Sequence, residues 1–216
     1  MAGTLVTGHM PRAAPDYSHE TAARALGHAR IAGVDEVGRG PLAGPVTAAA
    51  VILDPAAIPP GLADSKTLSA ARRNALCEAL LASAEVSVAH ASVAEIEEHN
   101  ILRASHIAMV RALDGLSRAA DFALIDGTMI PRGLTLPATA LVRGDARSLS
   151  IAAASIVAKV CRDRVMVDLA QQHPHYGWER NAGYPTPEHK AGLKSHGVSP
   201  HHRRTFGPIH KMLYQG

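Results

Sequence analysis

Three short apolar runs in this 216-residue chain lead into acids. Ala29 to Glu36 (ARIAGVDE) closes on Asp35 and Glu36, Phe122 to Asp126 (FALID) closes on Asp126, and Asp145 follows the run Ala138 to Val142 after Arg143 and Gly144. Such runs read as buried strands. In an α/β sheet the strand ends meet at one edge, where ligands usually bind. Burying an unpaired carboxylate is costly, so several converging acids need cations to hold them. Each acid taken singly reads better as a cap on the turn after its strand, and Asp126-Gly127 is an ordinary turn dipeptide. Together, oxygen ligands with no Cys and no paired His favour Mg²⁺ or Mn²⁺ over Zn²⁺. Four carboxylates carry about −4 and balance two divalent ions, which ~3.5–4 Å apart can activate a water and stabilise a leaving oxygen in phosphodiester cleavage.

The rest of the pattern predicts an α/β fold with a mixed sheet flanked by helices. A glycine-rich turn, VGRGPLAGP, joins the first strand to a second at Val46 to Leu53, and Glu85 to Ala91 alternates like a third. A short helix is expected over Glu20 to His28, and another from about Ser69, as N-cap, to Ala82. Ser92 opens a capping box with Glu95 and starts a long helix to about Leu116. Ser150 to Gln171 is helical, with Ile151, Ala154, Ala158, Cys161, Val165 and Leu169 recurring at steps of three and four. No internal repeat is visible. Thr7 to Met10 (TGHM) has the look of a tag remnant, and Met1 to about His19 is left out of the fold reading.

Hydrophobic residues make up 47% of the chain and charged residues 19%, which suits one globular domain with a small appendage. No stretch approaches the ~20 apolar residues of a membrane span, and no secretory leader is evident. Cys77 and Cys161 lack metal-type spacing and read as packed thiols, so a cytoplasmic location is expected. The charge is uneven. From Gln171 onward six Lys/Arg face two Asp/Glu, and this segment holds Tyr176, Trp178, Tyr184, Phe206 and Tyr214, five of the seven aromatics. Basic residues among aromatics suit a phosphate backbone with a sugar or base face, or equally a poorly packed helical extension.

One longer stretch carries more information. Gly33-Val34-Asp35-Glu36-Val37-Gly38-Arg39-Gly40-Pro41-Leu42-Ala43-Gly44-Pro45-Val46 resembles the signature of the ribonuclease HII family. Asp64-Ser65-Lys66, Asn100-Ile101-Leu102, Ile125-Asp126-Gly127, Gly144-Asp145, the run Ile151 to Val160 with Arg162-Asp163, Gly183-Tyr184-Pro185-Thr186 and His202 to Pro208 follow in the family's order. The resemblance spans roughly Arg30 to Pro208. It implies a ribonuclease H-like catalytic domain over 29–171, preceded by an N-terminal extension (1–28) and followed by a substrate-binding C-terminal helical extension (172–216). It also implies hydrolysis on the 5′ side of a ribonucleotide in a duplex, including the RNA strand of RNA–DNA hybrids.

By the same resemblance Asp35, Glu36, Asp126 and Asp145 are the metal-binding catalytic carboxylates. Gly38, Arg39, Gly40 and Tyr184 discriminate the sugar, and Ser65, Lys66 and Asn100 meet phosphates. The 2′-hydroxyl separates RNA from DNA, and glycines let backbone groups approach it. Read alone, GRG is a tight turn, Tyr184 an anchor for a Pro-rich loop and Lys66 a surface lysine. Asp163 reads as an ion-pair partner of Arg162 or Arg164. Lys159 and Arg162 are left open between nucleic acid and salt bridges, Arg203 and Arg204 are favoured as packing residues, and His201-His202 is read as solvated. A monomer acting on nucleic acid and not on membranes is expected. The competing classes are a binding module without catalysis, which leaves the four acids unexplained, and another two-metal phosphoryl-transfer enzyme such as an integrase or junction resolvase, in which GRG and GYPT would be idle.

Overall fold

The computed structural model describes residues 14–214, so Thr7 to Met10 lie outside the described residues. Five strands form one mixed sheet in the order β3-β2-β1-β4-β5: β1 Ile31–Val37, β2 Val46–Leu53, β3 Ala84–Ala91, β4 Phe122–Asp126 and β5 Ala138–Leu141. The pairs β1–β2 and β2–β3 are antiparallel, and β1–β4 and β4–β5 are parallel. The register sets Val34 beside Ile125, so Asp35 and Asp126 come next on neighbouring strands that run the same way.

Helices cover both faces. On one, α3 (Val93–Asp114) packs Ile96, Ala104, Ala108 and Met109 against Val34, Ala48, Ala50 and Ile125. On the other, α2 (Ala70–Ser83) and α4 (Leu149–Gln172) cover Ala49, Val51 and Leu53. The expected Ser69 N-cap and the Ser92–Glu95 capping box are both present, each contributing about 1 kcal/mol. The run Ile151 to Ala158 is buried all round, because its alanines let α4 lie close on the sheet. The closest approach is at Gly33, where a Cβ would stand 2.1 Å from the Ser150 carbonyl carbon. Any side chain there would push α4 off β1.

Two local expectations change. The helix read as continuous from Ser92 breaks at Asn100 (φ 65°, ψ 164°), whose Oδ1 accepts from the Leu102 and Arg103 amides and restarts it. Asn caps helices well because its short side chain competes for backbone N–H groups. In the second half of α4 the buried stripe is Arg162, Met166 and Ala170, one residue on from the Cys161, Val165, Leu169 stripe of the periodicity.

The flanking segments pack onto this body. From α1 (Ser18–Ala25), the buried Glu20 accepts from Ser148 Oγ (2.6 Å) and the Ser150 amide (2.9 Å) at the start of α4. Beyond α4, the short helices α5 (Trp178–Asn181), α6 (Pro187–His196) and α7 (Gly207–Tyr214) enclose Trp178, Leu193 and Ile209 in a core of their own with Leu42 and Met166. Among the described residues no helix is long and apolar enough to cross a membrane.

Candidate active site

At the C-terminal ends of β1 and β4 the acids gather. Strand alternation sends Asp35 to the α4 face and Glu36 to the α3 face. After β5 the chain turns at Arg143 (φ 54°) into a one-turn 3-10 helix, Gly144–Ala146, which returns Asp145 to the end of β4. Asp126 Oδ1 ties that return down, accepting from the Gly144 amide at 2.6 Å and the Asp145 amide at 3.4 Å.

The cluster repels itself. Burial first, then the charges of Glu36, Asp126 and Asp145, push the Asp35 carboxyl well above the usual range, against the opposing Ser155 hydroxyl. Burial also raises Glu36 in spite of Arg39, and raises Asp145 with help from Asp126 and Asp64. Each carboxylate is turned to a protein partner. Asp35 Oδ1 accepts from the Glu36 amide at 2.7 Å, Glu36 Oε1 meets Arg39 Nη1 at 3.1 Å, and Asp145 Oδ2 lies 3.7 Å from Lys66 Nζ. As they stand, no three acidic, histidine or cysteine side chains among the described residues converge closely enough to hold one ion.

Lys66 comes from a 3-10 turn, Ser65–Thr67, capped by Asp64. Burial acts to lower its pKa, but Asp64, Asp145, Asp35 and Asp126 together raise it, so the cation is secure. Its neighbour Ser65 is buried, with its hydroxyl 2.9 Å from Ser155 Oγ beneath Asp35. Asn100 stands apart, in the adjoining cleft with Arg103, His106 and Arg132.

Gly38, Arg39 and Gly40 lead the turn between β1 and β2. A Cβ on Gly40 would lie 3.3 Å from Tyr184 Cε1, so the loop and the tyrosine, far apart in sequence, are neighbours. Tyr184 is 44% exposed. Two arginines that the sequence reading did not place here hold the turn. Arg203 donates to the carbonyls of Gly38 (2.6 Å), Arg39 (3.1 Å), Pro41 (2.8 Å), Gly44 (3.0 Å) and Pro45 (3.2 Å). Arg162 donates to Pro45 (3.0 Å), Ala43 (3.2 Å) and Ala182 (3.0 Å). Both are fully buried, and neither makes an ion pair among the described residues. Burial lowers them to about 10 for Arg162 and about 9 for Arg203, so both are charged at neutral pH.

Tyr184 is held from behind. His189 donates from Nδ1 to its carbonyl at 2.9 Å, an assignment that follows because His189 Nε2 must accept from Trp178 Nε1 at 3.1 Å. His202 Nε2 then donates to the same His189 nitrogen at 3.0 Å, leaving its Nδ1 to accept from the Ser199 amide and hydroxyl. His202 is therefore buried, not solvated, and burial beside His189 lowers it to about 3. Arg203 packs as expected, while Arg204 engages Glu97 only through its amide. Asp163 pairs with Lys159 at 2.7 Å and not with either arginine. What the sequence did not reveal is the burial of Arg162 and the hold of both arginines on the Gly38–Pro45 turn, since long cations are ordinarily exposed.

Residues 32–215 match the family model described as Ribonuclease HII. A ribonuclease HII from Ruegeria pomeroyi is 68% identical over 201 residues, covering 93% of this chain and 86% of that protein. One from Roseobacter denitrificans is 68% identical over 191 residues, covering 88% and 96%. Among solved structures, the ribonuclease H2 of Pyrococcus horikoshii OT3 superposes with a TM-score of 0.74 at 28% identity, covering 87% of this chain and 98% of that one. A mixed sheet that ends in clustered acids beside a glycine loop pinned to the C-terminal segment, together with these likenesses, shows that the chain belongs to the ribonuclease HII family, the ribonuclease H hydrolases that cut the RNA strand of RNA–DNA hybrids.

Proposed function

We propose that the chain is an endonuclease that also cuts duplex DNA on the 5′ side of a single embedded ribonucleotide, with Asp35, Glu36, Asp126 and Asp145 as its metal-binding catalytic groups. The observation that carries this is the mutual repulsion of buried carboxylates at one sheet edge, beside a turn that exposes Arg39 and Gly40 next to a half-exposed tyrosine. Repulsion of that kind is relieved by cations, and an all-carboxylate donor set fits hard ions, Mg²⁺ or Mn²⁺, better than zinc. Binding would exchange the present partners, Arg39, Lys66 and backbone amides, for the ions. Two such ions, when bound, supply an activated water and stabilise the leaving 3′-oxygen.

The chain's own residues do the rest. Gly38 and Gly40 present backbone groups to the ribonucleotide's 2′-hydroxyl, which is both donor and acceptor. Tyr184 packs on the adjoining sugar. Lys66, beside Asp145, neutralises a phosphate near the cut, and Asn100 and Ser65 meet further phosphates of the backbone. The basic C-terminal extension contributes substrate contacts, and the protein works as a cytoplasmic monomer. The test is a labelled duplex carrying one ribonucleotide, compared with a four-ribonucleotide stretch and an all-DNA control, with and without chelator. Cleavage of the first two in Mg²⁺, leaving a 5′-phosphate, is expected. Binding without cleavage in Mg²⁺ or Mn²⁺ would leave only a nucleic-acid binding module.

A further inference from the structure

Beside the carboxylates, two clefts share one wall. The first, about 300 Å³, holds Glu36 and Asp126 with Arg39 and His106 on its lining. The second, about 460 Å³, continues past His106 between α3 and the loop after β4, and is lined by Asn100, Arg103 and Arg132. Its one acid, Glu98, is 71% exposed and faces His99 at 3.6 Å. Neither Arg103 nor Arg132 makes an ion pair among the described residues.

The break at Asn100 shapes this cleft. Restarting the helix there sets Arg103 and His106, three apart, on one face. The Arg132 amide donates to His106 Nδ1 at 3.4 Å, which places the ring proton on Nε2 and makes it a further donor in the shared wall. Burial first, then Arg103, Arg39 and Arg132, keep His106 below its ordinary value, so several cations converge here.

We propose that this cleft is a phosphate subsite for the duplex, in which Arg103 and Arg132 hold backbone phosphates flanking the bond that is cut at Glu36 and Asp126. The inference rests on the ribonuclease reading above and deepens it. Carboxylates repel a polyanion, so cations flanking them must hold the backbone in register. Unpaired arginines in a concave site that shares its His106 wall with the cleft of the acids meet that need with planar donors suited to phosphate oxygens.

The salt dependence of kcat/KM on a single-ribonucleotide duplex tests this. R103A/R132A should flatten the slope of log kcat/KM against log salt by about two, and lower kcat/KM roughly thirtyfold at ~0.15 M salt. R103K/R132K should restore most of the slope. An unchanged slope in the folded double variant overturns the subsite. Anisotropy with an all-DNA duplex reads the same slope without cleavage, so failure of the ribonuclease reading and failure of the subsite are distinguishable. Neutral methylphosphonates in one strand or the other identify the strand held: whichever removes the variant's defect supports the proposal, and no such effect in either strand overturns it.

Discussion

At the strand ends, Asp35, Glu36 and Asp145 are pushed toward their neutral forms by burial and by neighbouring acids. Around the Gly38–Pro45 turn, Arg162 and Arg203 are buried just as deeply, and neither makes an ion pair among the described residues. The difference lies in what answers each charge. The arginines are satisfied by carbonyl dipoles fixed in the backbone, which cannot leave. The carboxylates are answered only in part by backbone amides; Glu36 and Asp145 also rely on Arg39 and on a Lys66 side chain that is 81% exposed, partners that can be exchanged. Fixed dipoles make a rigid turn, which suits the sugar-reading role proposed for it; exchangeable partners suit the cation centre proposed for the acids.

The largest test of that contrast is Asp35→Asn. Activity should fall about a thousandfold or more, beyond the cost of losing one charge-stabilising group, while the protein stays folded or gains stability. The sign follows from linkage: a carboxyl whose folded pKa is raised penalises stability as pH rises above its unfolded value, and Asn removes that penalty at neutral pH. Mg²⁺ should raise the Tm of the native protein and raise that of the variant less. Loss of cooperative unfolding in Asp35→Asn would make Asp35 a structural residue and erase the contrast.

Arg203→Met attacks the other region. It leaves the carbonyls of Gly38, Arg39, Pro41 and Gly44 without this donor, each costing about 1–3 kcal/mol where no other donor replaces it. A total loss of roughly 3–5 kcal/mol in denaturant unfolding is expected, at the upper end for one substitution. A loss below about 1 kcal/mol would show that water readily replaces the guanidinium.

Tyr184→Ala, at the surface of the rigid half, should leave stability nearly unchanged. It should slow cleavage at an isolated ribonucleotide by about one to two orders of magnitude, as for a lost stacking contact, and slow cleavage of a continuous hybrid less. The reason is that a deoxyribose neighbour presents an apolar face that a 2′-hydroxyl interrupts. Equal losses on both substrates would show that the ring supports its loop and does not read the junction. The smallest effect is expected for Lys66→Ala: a salt slope reduced by about one on every duplex alike. An unchanged slope would confine Lys66 to its contact with Asp145.

Much of this architecture is legible in the sequence. The strands at Val46–Leu53 and Phe122–Asp126, the Ser92–Glu95 box and the position of acids at strand ends come from short apolar runs and local capping, which neighbouring residues decide. The break at Asn100 was hidden because apolar residues recur at helical steps across it, and the interruption rests on one residue's backbone angle and side-chain cap.

What the sequence by itself determined, then, is the set of elements and the edge where the acids meet, because periodicity and burial cost act locally. Tertiary structure alone decided where Arg162, Arg203 and His202 go. Arg203 reaches Gly38 across 165 residues, Arg162 reaches Ala43 across 119, and His189 meets His202 only when α6 folds beside the 199–203 loop. A buried, unpaired guanidinium is tolerable only where carbonyls gather to receive it, and that gathering belongs to the fold, not to any stretch of residues.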